Sequence, residues 1–401
     1  MKYYIIKLKN FKLKSLGEQS MKKIYVLIFT IFISLSLFGC NPNEEYCTPG
    51  STKGVYVCEV KLTSYFDTLI SLKVYVDKTS DQDIEEIFTD FEALAVKYHE
   101  LFDKYHEYED INNVYTINNS EDPVIVSEEL FRAIEYALER DDLVIKDDVK
   151  MFNIALNPVL EIWHDARNSD SCEGFINDNL QYEDFCPIPQ ESDFNQEFNI
   201  DPEDVILTEE TLSIGFAKEN MSIDLGGFAK GYFSELAIDY LEEFNLNYVL
   251  NLGSSNVYAN GVNLDRESGE YYIALTKPFP DLEDEVSYYA VIKLTDGLNL
   301  VSSGNYQRYF KNINDYDDET LYHHIIDPRT YYPGGESASI TLLSDDGALG
   351  DILSTTLYLL PVEEALEYVN AHENLEAIWY IDSETVVMSD GFSEYLMEPI
   401  N

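Results

Sequence analysis

Apolar and polar residues alternate along this chain with two different periods. Between Asp81 and Tyr105, residues Ile84, Ile87, Phe88, Phe91, Leu94, Ala95, Leu101 and Phe102 recur three and four apart, the stripe of a long amphipathic helix. Ser127, a good capping residue, precedes Leu130, Ile134, Ala137 and Leu138, and predicts a second helix to about Arg140. Phe233, Leu236, Ala237, Tyr240 and Leu241 predict a third, and Gly350–Leu359 and Val362–Ala371 two more. Short apolar or alternating runs predict strands at Ser71–Val76, Met221–Leu225, Tyr248–Leu252, Tyr271–Leu275, Tyr288–Leu294, Leu298–Ser302, Ser337–Leu343 and Ala377–Ile381. Strands outnumber helices in the second half and no strand–helix–strand rhythm appears. The pattern predicts an α+β fold with mostly antiparallel sheets and packed helices.

Two stretches interrupt this rhythm. From His164 to Asp204 the chain turns polar, acidic and rich in Pro and Asn, which predicts a surface insertion around 165–204 rather than a core element. At the other end, Lys22 and Lys23 precede an apolar run from Ile24 to Phe38, followed by Gly39 and Cys40, the layout of a secretory signal. That run is short for a spanning helix. Leu37-Phe38-Gly39-Cys40 resembles a bacterial lipobox, in which the cysteine is lipidated. Residues 1–39 are therefore expected to be a signal peptide, with Met21 a candidate true start, and 40–60 a lipidated tether ahead of a domain spanning 61–401. The expected location is the extracytoplasmic face of a bacterial cell membrane, held there by the lipid anchor alone.

Composition narrows the partners. A formal charge of −49 leaves little with which to neutralise phosphates, so nucleic acid and anionic lipid surfaces are excluded as main partners. The hydrophobic content of 45% and the aromatic content of 13% point to a folded protein rather than an acidic disordered one. Besides Cys40, four cysteines remain, an even number that permits two disulfides in an exported chain, most simply Cys47–Cys58 and Cys172–Cys186.

Candidate chemistry gathers around Ile223–Tyr232. An acid, Asp224, precedes paired glycines, Gly226 and Gly227, at the start of a helical pattern, with Lys230 one turn in. Paired glycines at such a turn let the backbone approach a ligand, and free amides at a helix start favour anions. The spacing matches neither nucleotide-binding fingerprint, so an ordinary strand–turn–helix explains the stretch equally well. His324 lies three residues before Asp327 in a proline-stopped segment and could shuttle a proton, although a lone histidine before an apolar pair is more often structural. Asp351 and Thr355, four apart on a predicted helix, share a face and offer a carboxylate and a hydroxyl suited to Mg²⁺; a helix-start acid is the simpler alternative. Tyr105 offers a ring face at the end of the first helix.

Taken in order, five motifs resemble those of the ApbE family. They are Asp224-Leu225-Gly226-Gly227-Phe228-Ala229-Lys230-Gly231-Tyr232, Asn251-Leu252-Gly253, Ser303-Gly304-Asn305-Tyr306, His324-Ile325-Ile326-Asp327-Pro328-Arg329-Thr330 and Asp351-Ile352-Leu353-Ser354-Thr355. Each is weak alone; together, behind a lipobox, they are specific. The resemblance implies a T-fold-like α+β domain and an exported FAD:protein FMN transferase. Such an enzyme cleaves FAD, attaches FMN by a phosphoester to a threonine of an exported or membrane redox protein, and releases AMP. It further implies Mg²⁺ held by Gly227, Asp351 and Thr355. FAD contacts are implied at Phe66, Tyr105, Met151, Phe152, Asn153, Asp224, Lys230 and Ile326. His324 is the candidate for activating the acceptor hydroxyl or orienting phosphate, with Asp327 its orienter and Lys230 a further catalytic candidate.

The chain departs from the family pattern at Ser254-Ser255, at Tyr331 where glycine is usual, at Asn153 where aspartate is common, and at Phe66-Asp67-Thr68, which replaces Met-Gly-Thr. Two other readings compete: a FAD-binding or FAD pyrophosphatase lipoprotein that does not flavinylate protein, and a non-enzymatic surface binding lipoprotein. The last has no need of Gly227, Lys230, His324, Asp351 and Thr355 together.

Overall fold

The computed structural model describes residues 46–397, apart from 177–181, 254, 281–286 and 296. The expected signal peptide and the lipidation site at Cys40 lie outside the described residues. The chain runs β1 (Cys47–Pro49), β2 (Val55–Tyr65), β3 (Thr68–Asp77), α1 (Ile84–Phe102), α2 (Glu128–Leu138) and α3 (Asn157–Arg167). It continues with β4 (Glu173–Ile176), β5 (Tyr182–Cys186), α4 (Ala229–Glu242), β6 (Asn247–Leu252), β7 (Asn256–Asn260), β8 (Tyr271–Thr276) and β9 (Tyr288–Leu294). It closes with β10 (Asn299–Gly304), β11 (Tyr309–Asn312), β12 (Tyr322–His323), β13 (Ser339–Ser344), α5 (Gly347–Tyr358), α6 (Val362–Asn370), β14 (Leu375–Tyr380) and β15 (Val386–Met388).

Nine strands form one antiparallel sheet in the order β1-β2-β3-β6-β7-β10-β13-β14-β15. Alternation decides its faces. In β3, Ile70, Leu72 and Val74 turn inward to meet the stripe of α1 and the apolar side of α4. The opposite face is covered by the β8–β9 hairpin, with Tyr271, Leu275, Tyr289 and Ile292 buried against β7, β10 and β14. The α+β, mostly antiparallel expectation holds.

Local chemistry sets the helix limits. Asp83 caps α1 by accepting the Glu86 amide at 3.2 Å, and Ser127 caps α2 through the Leu130 amide at 3.3 Å. The first helix stops at Phe102, short of the expected Tyr105, because the Asp103 carboxylate takes the amides of Tyr105 and His106 for itself.

Three expectations need correction. Residues 40–60 are not wholly a tether: β1 and most of β2 already belong to the sheet, and Cys47 is paired with Cys58 across them. Met221–Leu225 is extended but joins no strand ladder. The Asn118 side chain occupies that edge instead, accepting the Ile223 amide at 2.8 Å and donating to the Ile223 carbonyl at 2.9 Å. The insertion is also more than a surface excursion. Its hairpin, β4–β5, is closed by Cys172–Cys186 and completes a four-stranded sheet, β12-β11-β5-β4, through a parallel pairing of β5 with β11. Trp163 anchors it, packing among Phe194, Phe310, Tyr322 and Tyr332 and donating its indole N–H to the Tyr331 carbonyl at 2.8 Å. Tyr331, where the family favours glycine, has φ of 65°, a left-handed conformation that explains the glycine preference.

Candidate active site

The floor of the site is the crossing of α4 and α5. A Cβ on Gly231 would lie 2.1 Å from the Gly347 carbonyl oxygen, so only glycine permits this approach. Two reciprocal hydrogen bonds lock the crossing. The Gly231 amide donates to Asp351 at 2.8 Å, and the Gly347 amide donates to Glu235 at 2.7 Å. Burial pushes the Asp351 carboxyl up, while Lys230 and the Gly231 amide oppose that shift. Burial likewise raises Glu235, to about 6, against the pull of the Gly347 amide. Because the Gly231 N–H is spent on Asp351, the turn and cap bonds of the described residues leave the Gly227 carbonyl unclaimed. One turn beyond Asp351, the Thr355 hydroxyl lies 3.4 Å from Ser303 at the end of β10.

A cleft of about 310 Å³ opens above this floor. It brings together Tyr105, Met151, Phe152, Asn153, Asp224, Gly227, Lys230, His324, Ile326, Asp351 and Thr355, eleven of the residues singled out from the sequence. Phe66 and Asp327 do not line it. The Phe66 ring is turned into the core, stacked on Phe233 at 5.0 Å. The Asp327 carboxylate is buried and ion-paired with Arg329 at 2.6 Å, so it orients that arginine rather than His324. The Asn153 side chain is occupied with backbone, accepting from Ala155 and donating to Ile200.

One wall carries a buried lysine that sequence reasoning missed. Lys104 ion-pairs with Asp224 and Glu161, each at 2.7 Å, and burial, which disfavours its charge, is outweighed by these carboxylates, so its pKa is raised. Its neighbour Tyr105 stacks on His164 at 4.7 Å and shares a hydrogen bond of 3.1 Å with that ring. The missed signal was the lysine itself, set at the apolar end of α1, whose partners lie far along the chain.

The second wall is the segment leading through β11 and β12. Arg308, also missed, donates to the Asp67 carbonyl at 2.8 Å, and its own carbonyl accepts the His324 amide at 3.2 Å. His323 is buried, and burial lowers its imidazole to about 4. The His324 ring is open to water in the cleft although protein surrounds it. That enclosure, with Arg308, His323 and Lys230 nearby, shifts it below the ordinary histidine value. The shift favours the neutral imidazole.

The charge of the cleft is the reverse of the chain's. Lys104, Arg167, Lys230 and Arg308 line it, and among the described residues only Lys104 has a carboxylate partner, in a protein with 75 acids. No three His, Cys, Asp or Glu side chains of the described residues cluster as a metal site. The donors around Asp351 are instead one carboxylate, one hydroxyl and one unclaimed carbonyl, a set that fits a hard cation retaining waters and substrate oxygens. Such a cleft can hold a diphosphate against fixed cations, with a neutral imidazole at its edge.

Residues 66–379 match the model of the ApbE family. An FAD:protein FMN transferase of Klebsiella pneumoniae is 30% identical over 270 residues, covering 67% of this chain and 73% of that protein. One from Haemophilus influenzae is 27% identical over 365 residues, 90% and 93% of the two chains. In fold, an ApbE protein from Thermotoga maritima superposes with a TM-score of 0.67 at 22% identity, over 85% of this chain and all (100%) of that one. The flavin transferase ApbE from Vibrio cholerae gives 0.64 at 18% identity, over 85% and 100%.

Proposed function

The chain belongs to the ApbE family and is a flavin-transferring enzyme, and from that premise we propose that it cleaves FAD and attaches FMN to a threonine of an exported protein. The acceptor hydroxyl oxygen attacks the FMN-side phosphorus of the diphosphate. The new O–P bond forms as the bond from that phosphorus to the bridging oxygen breaks, AMP leaves with the bridging oxygen, and the hydroxyl proton is released. The observation that carries this reading is the convergence of Arg167, Lys230 and Arg308, none ion-paired with a carboxylate among the described residues, with the Asp351–Thr355–Gly227 oxygens in one cleft of a very acidic protein. Phosphoryl transfer asks mainly for charge neutralisation and alignment, and that is what these groups supply.

Asp351, Thr355 and the Gly227 carbonyl would hold Mg²⁺, which when bound neutralises charge on the diphosphate. Lys230 holds the nucleotide's phosphates, and the Lys104–Asp224 pair stiffens the wall beside them. His324 accepts a hydrogen bond from the acceptor hydroxyl. Beyond the enclosure that lowers its pKa, the nearby cations that lower it further are the ones a bound diphosphate offsets, so substrate binding raises its pKa toward that of a useful base. Tyr105 already stacks on His164, so the flavin ring meets this pair rather than an isolated tyrosine. Met151, Phe152 and Ile326 supply apolar lining. Lipidation at Cys40 and residence outside the cytoplasm belong to the same proposal; the lipobox and the two cysteine pairs support them.

The test is to incubate the protein with FAD, Mg²⁺ and a threonine-bearing acceptor domain and to weigh the acceptor. A gain of one FMN, absent with Asp351→Ala, is expected. Free FMN and AMP with no gain would make it a pyrophosphatase, and no flavin binding would sink both readings.

A further inference from the structure

We infer that Arg308 is a catalytic residue of this transfer, a guanidinium aimed at the diphosphate by a strained hairpin turn; the inference rests on the FAD reading above. The turn joins β2 to β3. Tyr65 pairs with Thr68, leaving Phe66 and Asp67 as a two-residue loop, and both are left-handed, with φ of 53° and 50°. Loops of this geometry favour Asn-Gly or Gly-Gly, because a side chain crowds the backbone there. A phenylalanine and an aspartate are costly choices, so the surroundings must hold them in place.

They do. The Phe66 ring is wedged between Phe233 at 5.0 Å, His99 at 5.9 Å and Phe102 at 6.4 Å, and its amide donates to His99 Nδ1 at 3.3 Å. On the far side, the Thr68 side chain fills the space that a residue larger than Gly253 would need. The wedge fixes the Asp67 carbonyl, which accepts from Arg308 Nη2 at 2.8 Å. The strain therefore secures one thing at the cleft, the aim of a guanidinium contributed by a segment 241 residues further along the chain.

What remains of that guanidinium faces the cleft. Arginine has five N–H donors in a planar fork, and one bond to Asp67 leaves the rest for a ligand. No carboxylate of the described residues pairs with it, whereas most lysines and arginines of the described residues have one. Its neighbourhood is the reacting one. Lys230, Arg308 and His324 all line the one cleft, so two cations and the imidazole border one space. A fork held at one corner suits two oxygens of a diphosphate, and it suits the spread charge of the transition state better than a mobile ammonium does.

Arg308→Ala and Arg308→Lys, with FAD, Mg²⁺ and acceptor, test the assignment. The alanine variant should lose roughly 10²–10³-fold in kcat for FMN transfer, with KM for FAD changed far less. Added guanidinium should restore part of the rate. The lysine variant should stay slow, since a point charge cannot hold both the Asp67 carbonyl and the diphosphate. Wild-type melting temperatures in both variants would exclude a folding defect. Transfer by Arg308→Ala at the wild-type rate overturns the inference and leaves the function standing. So does a loss that falls equally on FAD affinity and is not rescued by guanidinium. A wild-type protein that transfers no FMN brings down both.

Discussion

Two regions border the cleft and are built on opposite terms. The floor, where α4 crosses α5, is made of backbone against backbone, with glycines at the contact and carboxylates bonded to amides. The sheet completed by the insertion is made of side chains: an aromatic cluster around Trp163, a disulfide, and Phe175, Ile176 and Tyr316 exposed at its outer end. Backbone contacts have no rotamers with which to relax, whereas aromatic clusters can repack. The floor is thus the place for groups that must be positioned within a fraction of an ångström, and the outer β4–β5 hairpin of the insertion sheet, away from Arg308 and His324, is the part that can shift without stopping the chemistry.

That contrast can be broken at several points. Asp351→Ala should have the largest effect, a loss of several kcal/mol in Mg²⁺-dependent turnover, or 10³-fold and more, with FAD binding reduced far less. Turnover assays beside flavin-fluorescence titrations check it, and equal losses in both would remove Asp351 from the metal. Gly231→Ala forces a methyl against the Gly347 carbonyl and should cost about 3 kcal/mol in denaturant unfolding, with turnover lost as well. A stable, active Gly231→Ala would mean that the floor has slack. In the other region, Cys172→Ser with Cys186→Ser opens a cross-link between residues 14 apart and should lower stability by about 2–3 kcal/mol while FMN transfer stays near wild type. A transfer rate that collapses with the disulfide would place the β4–β5 hairpin inside the catalytic machinery.

A further effect concerns pH. His323 sits where the insertion sheet meets the cleft, and its folded pKa, about 4, is below that of the unfolded chain. The unfolded state therefore binds the extra proton between the two values. The stability this histidine contributes is present above about pH 6.5 and is lost as pH falls toward 4, by at most about 1.4 kcal/mol per pH unit. Denaturant midpoints across pH 4–7 should fall less steeply for His323→Gln than for wild type. Parallel curves would mean that His323 is not the titrating group.

How much was legible in the sequence follows from the range of the interactions involved. The stripe of α1, the Ser127 cap and the alternation in β3 are local and were readable within a few residues. Ile223 was misread because the partner that replaces its ladder is the side chain of Asn118, 105 residues earlier. The β4–β5 hairpin looked like a loop because its pairing partner, β11, lies more than a hundred residues downstream and its acids hide Phe185, Cys186 and Phe194. Among site residues, the floor was legible through ordered motifs. Lys104 and Arg308 were not, since a charge in a sequence says nothing of the carboxylates or carbonyls it will meet. Phe66 was assigned to the flavin, but its left-handed backbone points the ring into the core and leaves the neighbouring carbonyl as the useful group.

The cross-strand link between Cys47 and Cys58 also has a mechanical consequence. Tension applied to the chain ahead of Tyr46 passes through the sulfur atoms straight to Cys58, which is fully buried and zipped to Val74 of β3. Residues 48–57, including the rest of β1 and its turn, are thereby removed from the load path. The pull arrives as shear along the long β2–β3 ladder rather than as peeling of a three-residue edge strand. Reduction of that one bond would convert the same tug into an unzipping force at the edge of the sheet.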